Sequence, residues 1–273
     1  MKVGLIPPIP HLKDFGCGDF HLLLTHLLED PYYVSHYKNE RRHGAYLVLD
    51  NSAHELQEGQ RAEFLMLNAL NLQAQEVVVP DVLFDAEKTI QRCIETHEIW
   101  YESNYPGMRQ LNPAIMYVPQ SANRVDYKSC LDELANLHLY TAKHHNIRKD
   151  FVIGVSKDYE DIWDGGVMRV MKESVVPMRN ACAKKGIGVQ VHLLGWARNL
   201  WYLRDVVKKY PWIRSTDSAK PFVYALDKMA LYPELTAPEY PTRPPNYFQR
   251  KLMTKQKAIA AHNVAAFRGI VDG

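Results

Sequence analysis

The chain has little cysteine, and what there is does not cluster. Its four cysteines, Cys17, Cys93, Cys130 and Cys182, are scattered over 273 residues and form no C-x-x-C pair. That spacing argues against a zinc ribbon and against a disulfide scaffold, so the expectation is an intracellular chain with reduced thiols. A charge of one sign is also missing: 33 basic residues face 31 acidic ones, for a formal net charge of +2. So weak a bias neither demands nor excludes a nucleic-acid partner, because a local patch and not the total binds phosphate. No apolar run approaches a membrane span, and the opening Met1-Lys2-Val3-Gly4-Leu5-Ile6-Pro7-Pro8 is too short for a signal peptide. The expected location is therefore the cytoplasm. Neither G-x-G-x-x-G nor Walker A follows any apolar run, which removes the usual reasons for a dinucleotide- or nucleotide-triphosphate-binding sheet. His144 and His145 stand outside any H-E-x-x-H pattern.

What is present is a repeated alternation. Ala45-Tyr46-Leu47-Val48-Leu49-Asp50 is an apolar run of strand length stopped by an acid, as expected of a parallel strand covered on both faces. Glu76-Val77-Val78-Val79-Pro80-Asp81 repeats the pattern, and Pro113-Ala114-Ile115-Met116-Tyr117-Val118-Pro119-Gln120 stops at an amide. Phe151-Val152-Ile153-Gly154-Val155-Ser156, Val189-Gln190-Val191-His192-Leu193-Leu194-Gly195 and a strand from Trp212 to Thr216 ending on Asp217 follow. Between them lie helical patterns, among them 85–101, 126–145 and 165–185. Before them, Val3 to Ile6 reads as a short strand, and Asp19 as the cap of a helix carrying Phe20, Leu23, Leu24, Leu27 and Leu28. Strand and helix thus alternate without hairpin signals, the mark of a βα architecture with a parallel sheet. Periodicity does not separate a closed (β/α)8 barrel of TIM type from an open doubly wound sheet. The missing nucleotide motifs favour the barrel, with irregular strands or one hidden in the tail. The expected division is a barrel over 1–231 and, over 232–273, an extended segment with five prolines from Pro233 to Pro245 plus a last helix from Tyr247.

If the strands are parallel, Asp50, Asp81, Gln120, the loops at Gly154 and Gly195, and Asp217 share one edge, the ligand-binding end of such folds. Each acid alone is as readily a turn residue or helix cap. Together they form the inventory needed to replace a base on a nucleic-acid sugar: a carboxylate for the anomeric carbon, a second to manage protons, and polar groups for a purine edge.

In order and placement these motifs resemble the guanine transglycosylases that act on tRNA, which exchange guanine for a 7-deazaguanine within a polynucleotide. Leu49-Asp50-Asn51-Ser52 is similar to the family's Asp-Ser segment, Val79-Pro80-Asp81 to its base-recognition segment, and Val118-Pro119-Gln120 to its valine-glutamine segment. Ile153-Gly154-Val155-Ser156 resembles its glycine loop, His192-Leu193-Leu194-Gly195 the segment before the nucleophile, and Ser215-Thr216-Asp217-Ser218 the nucleophile segment. The resemblance implies that Asp217 is the nucleophile and Asp50 the acid/base residue. It further implies that Asp81, Gln120, Gly154 and Gly195 hold the base; beside them His192 reads equally as a substrate contact or a buried hydrogen-bonding residue, and Trp196 as a core residue or a flank of the base pocket.

The departures point to a branch of that family. The tRNA enzymes follow their Asp-Ser with paired glycines and an aromatic, where this chain reads Asp50-Asn51-Ser52-Ala53-His54. They also carry a zinc site of clustered cysteines after the nucleophile, and here no cysteine follows Cys182. No metal and no redox cofactor is therefore expected. The shorter DNA-directed members of phages and genomic islands are the better likeness, which makes DNA the expected polymer, tRNA the alternative, and a free 7-deazaguanine or guanine base the second substrate. A bacterial host cytoplasm would be the setting if the chain is phage-encoded. Arg41, Arg42, Lys220, Arg243 and Arg250 are the candidate phosphate contacts, with plain surface solvation an equal reading for each. A barrel glycoside hydrolase and a non-catalytic DNA-binding role are the competing classes, and the oligomeric state is open, a homodimer included.

Overall fold

An apolar run without polar alternation must cover both of its faces, and such runs do so here as members of a set of eight strands lying side by side. They are β1 (Lys2–Leu5), β2 (Phe20–Leu24), β3 (Tyr46–Asp50), β4 (Glu76–Val78), β5 (Ala114–Tyr117), β6 (Phe151–Ser156), β7 (Val189–Leu194) and β8 (Ser215–Ser218). In this computed structural model, residues 1–102, 110–145, 147–148, 150–195, 200–232 and 241–272 are described. All seven hydrogen-bonded pairings are parallel, in the order β1-β8-β7-β6-β5-β4-β3-β2. The two ends of that order meet at Gly4, where a Cβ would stand 3.4 Å from the Leu22 amide nitrogen and 3.5 Å from the Phe20 ring. The sheet is thus a nearly closed barrel with flanking helices, a TIM-barrel architecture.

Three sequence expectations need correction. The run from Phe20 is β2 and not a helix capped by Asp19. A buried run of this kind fits either element by pattern alone, and its slot beside β3, with every residue of the strand buried, settles it as a strand. No strand hides in the described part of the tail, because β8, the Asp217 strand, is the eighth. The last helix spans Thr254–Asp272, with only a 3-10 turn at Tyr247–Gln249 where a helix start was expected.

The helices bury one stripe each. In Ala86–His97 the buried positions include Thr89, Cys93, Thr96 and His97, and in Arg124–His145 they include Tyr127, Cys130, Leu131, Leu134 and His138, at helical spacing. The two histidines are satisfied core residues. His97 places Nδ1 2.7 Å from the Thr141 hydroxyl and Nε2 2.8 Å from the Tyr117 hydroxyl, and His138 lies 3.4 Å from that same phenol. The C-terminal helix is fastened to the barrel by Asn263, which donates to the carbonyls of Pro221 and Met229 and accepts from the Leu231 amide. Among the described residues no helix is long and apolar enough to cross a membrane.

Candidate active site

Side chains two apart on a barrel strand share a face, so a few polar residues at that period define the interior. Tyr46 and Asp50 on β3, Gln190 and His192 on β7, and Ser215 and Asp217 on β8 are such pairs or steps. They climb from the amino-terminal to the carboxy-terminal end of the strands, where a cavity of about 460 Å3 opens. Asp50, Asp81, Gln120, Gly195 and Asp217 all line it. Asp50 is the last residue of β3 and Asp217 lies within β8, while Asp81 and Gln120 lie three residues past β4 and β5.

Asp81 is held by two neutral amides. The Asn51 side chain donates to its Oδ1 at 2.6 Å and the Gln120 side chain to its Oδ2 at 2.6 Å. Gln120 is fixed in turn: its Oε1 accepts from the Phe84 amide at 3.2 Å and from the Tyr159 hydroxyl at 3.2 Å. This fixes the Gln120 amide with its donor toward Asp81. Burial pushes the Asp81 carboxyl up to about 6, against the lowering effect of those two hydrogen bonds. Each of its oxygens keeps a second lone pair for a ligand donor.

Asp50 stands at the start of a strained turn. Its Oδ2 accepts from the Ser52 amide at 2.8 Å, and Ser52 itself is left-handed, with φ 59°. The Ser52 hydroxyl pins this turn to the end of β2, accepting from Thr25 Oγ1 at 3.0 Å and from the His26 amide at 3.3 Å. Burial, then the negative charge of Glu55, raises the Asp50 carboxyl well above the ordinary carboxylate range, with Asp217 and Asp81 adding to it. Asp50 is therefore a carboxyl whose surroundings favour its protonated form more than water does, the property asked of a group that passes a proton to a ligand.

Asp217 differs from both. Its Oδ1 takes two partners, the Gly195 amide at 2.9 Å and His192 Nε2 at 3.0 Å. The following helix, Lys220–Leu226, receives no side-chain cap at Ala219, so Asp217 is not there as a cap. Gly195 has φ +70°, which favours glycine, and a Cβ there would meet the Lys157 side chain at 3.2 Å.

The rim of the cavity brings in residues that strand-end reasoning missed: His54, Glu55, Ser156, Lys157 and Asp158. Lys157 Nζ lies 2.6 Å from Asp158 Oδ1, His54 Nδ1 lies 3.6 Å from Asp158 Oδ2, and Arg243 Nη2 lies 2.8 Å from Glu55. Burial would raise the Asp158 carboxyl, but hydrogen bonds from His54 and Lys157 and the lysine charge outweigh it and hold it low. The signal for these residues was a polar cluster directly after β3 and β6, which their loop position had made ordinary.

Several expected contacts sit elsewhere. Gly154 lies inside β6, where a Cβ would stand 2.9 Å from Leu194 Cδ1 and 2.9 Å from Val118 Cγ2; it serves close packing of neighbours, and the β6 end reaches the cavity through Ser156 and Lys157 instead. His192 is fully buried beneath Asp217 and does not line the cavity. Arg41 and Arg42 end the helix Pro31–Arg42 that feeds the start of β3, so they lie at the opposite end of the barrel, and Arg41 donates to the Gln73 carbonyl. Arg250 is exposed and donates to Asn246, outside the cavity lining, whereas Lys220 and Arg243 do line it. Trp196 lies outside the described residues.

Potential metal ligands gather, among the described residues, at Cys17, His36 and Glu40, whose donor atoms lie within 4.8 Å of one another. Their present partners tie down the loop before β2: Glu40 accepts from the Gly18 amide, and His36 Nε2 lies 3.0 Å from the Gly16 carbonyl. Among the described residues the cavity itself offers acid, amide and cation. No protein-family model, curated protein or solved structure matches the chain.

Proposed function

We propose that the chain is a transglycosylase that exchanges guanine in a polynucleotide, DNA in preference to tRNA, for a free 7-deazaguanine. TIM barrels serve many enzymes, so the fold alone does not select a reaction. The observation that carries the reading is the division of labour among three acids on one cavity: Asp217 with one oxygen doubly hydrogen-bonded, Asp50 with a strongly raised carboxyl, and Asp81 backed by two amides. The order of the sequence motifs supports it. The cavity, at about 460 Å3, is within the range that encloses a small organic ligand.

In this reading the target nucleotide leaves its stack and enters the cavity. A lone pair of Asp217 forms a bond to C1′ as the C1′–N9 bond breaks, and the electron pair passes to guanine, which takes a proton from Asp50. The incoming base reverses the sequence. Its N9 bonds to C1′, its N9 proton goes to the Asp50 carboxylate, and the sugar–oxygen bond returns its pair to Asp217. Asp81 accepts from the amino and imino edge of either base, with Gln120 holding it in place. No electrons enter or leave.

The experiment is incubation with labelled guanine and, separately, guanine-containing DNA and tRNA, with a denaturing quench and mass measurement of any protein–nucleic acid adduct. Wild type should give an adduct and incorporate label with DNA. Asp217→Asn keeps the shape but lacks the nucleophile, so it should stay folded and give neither. An active Asp217→Asn enzyme removes the assignment, and label entering tRNA alone moves the polymer to the alternative.

A further inference from the structure

The barrel interior contains a continuous polar column that reaches Asp217 from below. At its foot Arg214 forks onto the fully buried Glu76, Nη1 to Oε2 at 2.6 Å and Nη2 to Oε1 at 2.8 Å. Gln190 Oε1 accepts from Nη1 at 3.0 Å and the Tyr46 hydroxyl donates to Glu76 at 2.9 Å, which leaves the guanidinium in one orientation. Its Nε–H donates to Ser215 Oγ at 3.1 Å. Ser215 Oγ lies 2.8 Å from His192 Nδ1, and His192 Nε2 lies 3.0 Å from Asp217 Oδ1.

Proton counting gives this column a direction. A guanidinium can only donate, so Ser215 accepts from Arg214 and keeps its single hydrogen for another partner. Asp217 Oδ1, which already accepts from the Gly195 amide, needs a donor from His192, so Nε2 bears the hydrogen. A neutral imidazole then has a bare Nδ1, and the Ser215 hydrogen satisfies it. We infer that Glu76, Arg214, Ser215 and His192 are positioning residues that hold the Nε2–H tautomer of His192, occupy Asp217 Oδ1 and thereby reserve Oδ2 as the oxygen that bonds to the sugar. The last clause rests on the transglycosylase reading, and the tautomer does not. The sequence showed the parts, a serine and an aspartate two apart on β8 and a histidine on β7, without the contacts that join them.

The test has two arms. The first uses the full chain labelled with 15N-histidine and needs no substrate, with the His192 signals among the 12 histidines assigned by their loss in His192→Gln. Expected are a pyrrole-type Nε2 and a pyridine-type Nδ1. A hydrogen on both nitrogens, or on Nδ1 alone, overturns the proposal. The second arm measures single-turnover adduct formation on a guanine oligonucleotide. His192→Leu should lose about 10²-fold in rate with oligonucleotide affinity kept, the scale of removing one fixed donor from a reacting charge. In His192→Gln the amide nitrogen can reach the place of Nε2, so that variant should recover to within about tenfold of wild type. Ser215→Ala should slow the reaction when His192 is present and add nothing in the His192→Gln background. An equal cost in both backgrounds would show a packing role and sink the positioning claim. If wild type forms no adduct on DNA or tRNA, the transglycosylase reading fails, and the nitrogen signals still decide the tautomer.

Discussion

The two ends of the barrel bury acid in opposite ways. At the amino-terminal end the buried carboxylate of Glu76 is met by a forked guanidinium and a phenol, with the Gln190 amide bracing the guanidinium, so its charge is neutralised where it stands. At the carboxy-terminal end Asp50, Asp81 and Asp217 share one cavity, and their described hydrogen-bond partners are amides and an imidazole. The cations that line the cavity with them are committed elsewhere: Lys157 to Asp158, Arg243 to Glu55 and Lys220 to the Pro241 carbonyl. Desolvation is therefore answered in full at one end and left partly unanswered at the other. The first arrangement serves the fold. The second leaves an electrostatic cost that contact with a hydrogen-bond-donating ligand can relieve, which is where chemistry is expected.

The sharpest way to break this comparison is to remove one acid from each end. Glu76→Ala strands Arg214 in the barrel interior without its partner, and loss of one member of a buried pair costs about 3–5 kcal/mol. Asp217→Asn relieves like charge in the cavity and should leave stability level or raise it. Urea unfolding of both variants beside wild type measures the difference. Equal losses would mean that both ends are structural, and the case for a functional upper end would go with them.

How much of this was legible beforehand follows the same divide. The upper rim was readable because a strand that stops on an acid leaves a local mark: Asp50, Asp81, Gln120 and Asp217 reach the cavity as expected. The barrel followed from unbroken apolar runs. β2 was lost because Phe-His-Leu-Leu-Leu satisfies helix and strand alike, and only its neighbours distinguish them. The lower end left no mark of its own. Arg214 and Glu76 are 138 residues apart, and nothing local in either segment announces the pair. His192 was visible as a polar residue in an apolar strand, but contact with a ligand and contact with Asp217 look the same in sequence. Gly154 failed for a related reason, since a glycine in a strand signals close approach without saying of what.

Acidity offers a second test of the upper end. The Asp81 carboxyl, ordinarily near 3.8, is pushed up to about 6 by burial. The raised value means the folded chain binds this proton more tightly than the unfolded chain. The contribution to stability is present below about pH 4, falls as pH rises to about 6, and is flat above, a change of about 3 kcal/mol across two units. Asp81→Asn cannot titrate, so the difference between its stability curve and that of wild type should change by that amount over the window. Base exchange adds the converse limb: Asp81 accepts better when ionised, so the wild-type rate should rise through about pH 6. At neutral pH Asp81→Asn should lose about 10²-fold in exchange, because a donor replaces an acceptor, while polynucleotide binding is largely kept. Parallel stability curves, with base preference unchanged, would return Asp81 to a turn residue.

The smallest expected effect tests whether the polymer is met at one end only. Arg243 lines the cavity, half-buried and 5.3 Å from the Phe248 ring centroid, and on the transglycosylase reading it is the candidate contact for a phosphate flanking the extruded nucleotide. Arg41 occupies the opposite end, donating to the Gln73 carbonyl. Each phosphate contact releases about one counterion, so Arg243→Ala should weaken oligonucleotide binding by about tenfold or less and lower the slope of log affinity against log salt by about one. The loss of its partner leaves Glu55 facing the same site, and that added repulsion works in the same direction. Arg41→Ala should alter neither quantity. Fluorescence titration of a labelled single-stranded oligonucleotide at several salt concentrations reads both. An equal loss of slope in the two variants would mean that the strand runs along the barrel wall from one end to the other, and the lower end would then take part in binding as well as in the fold.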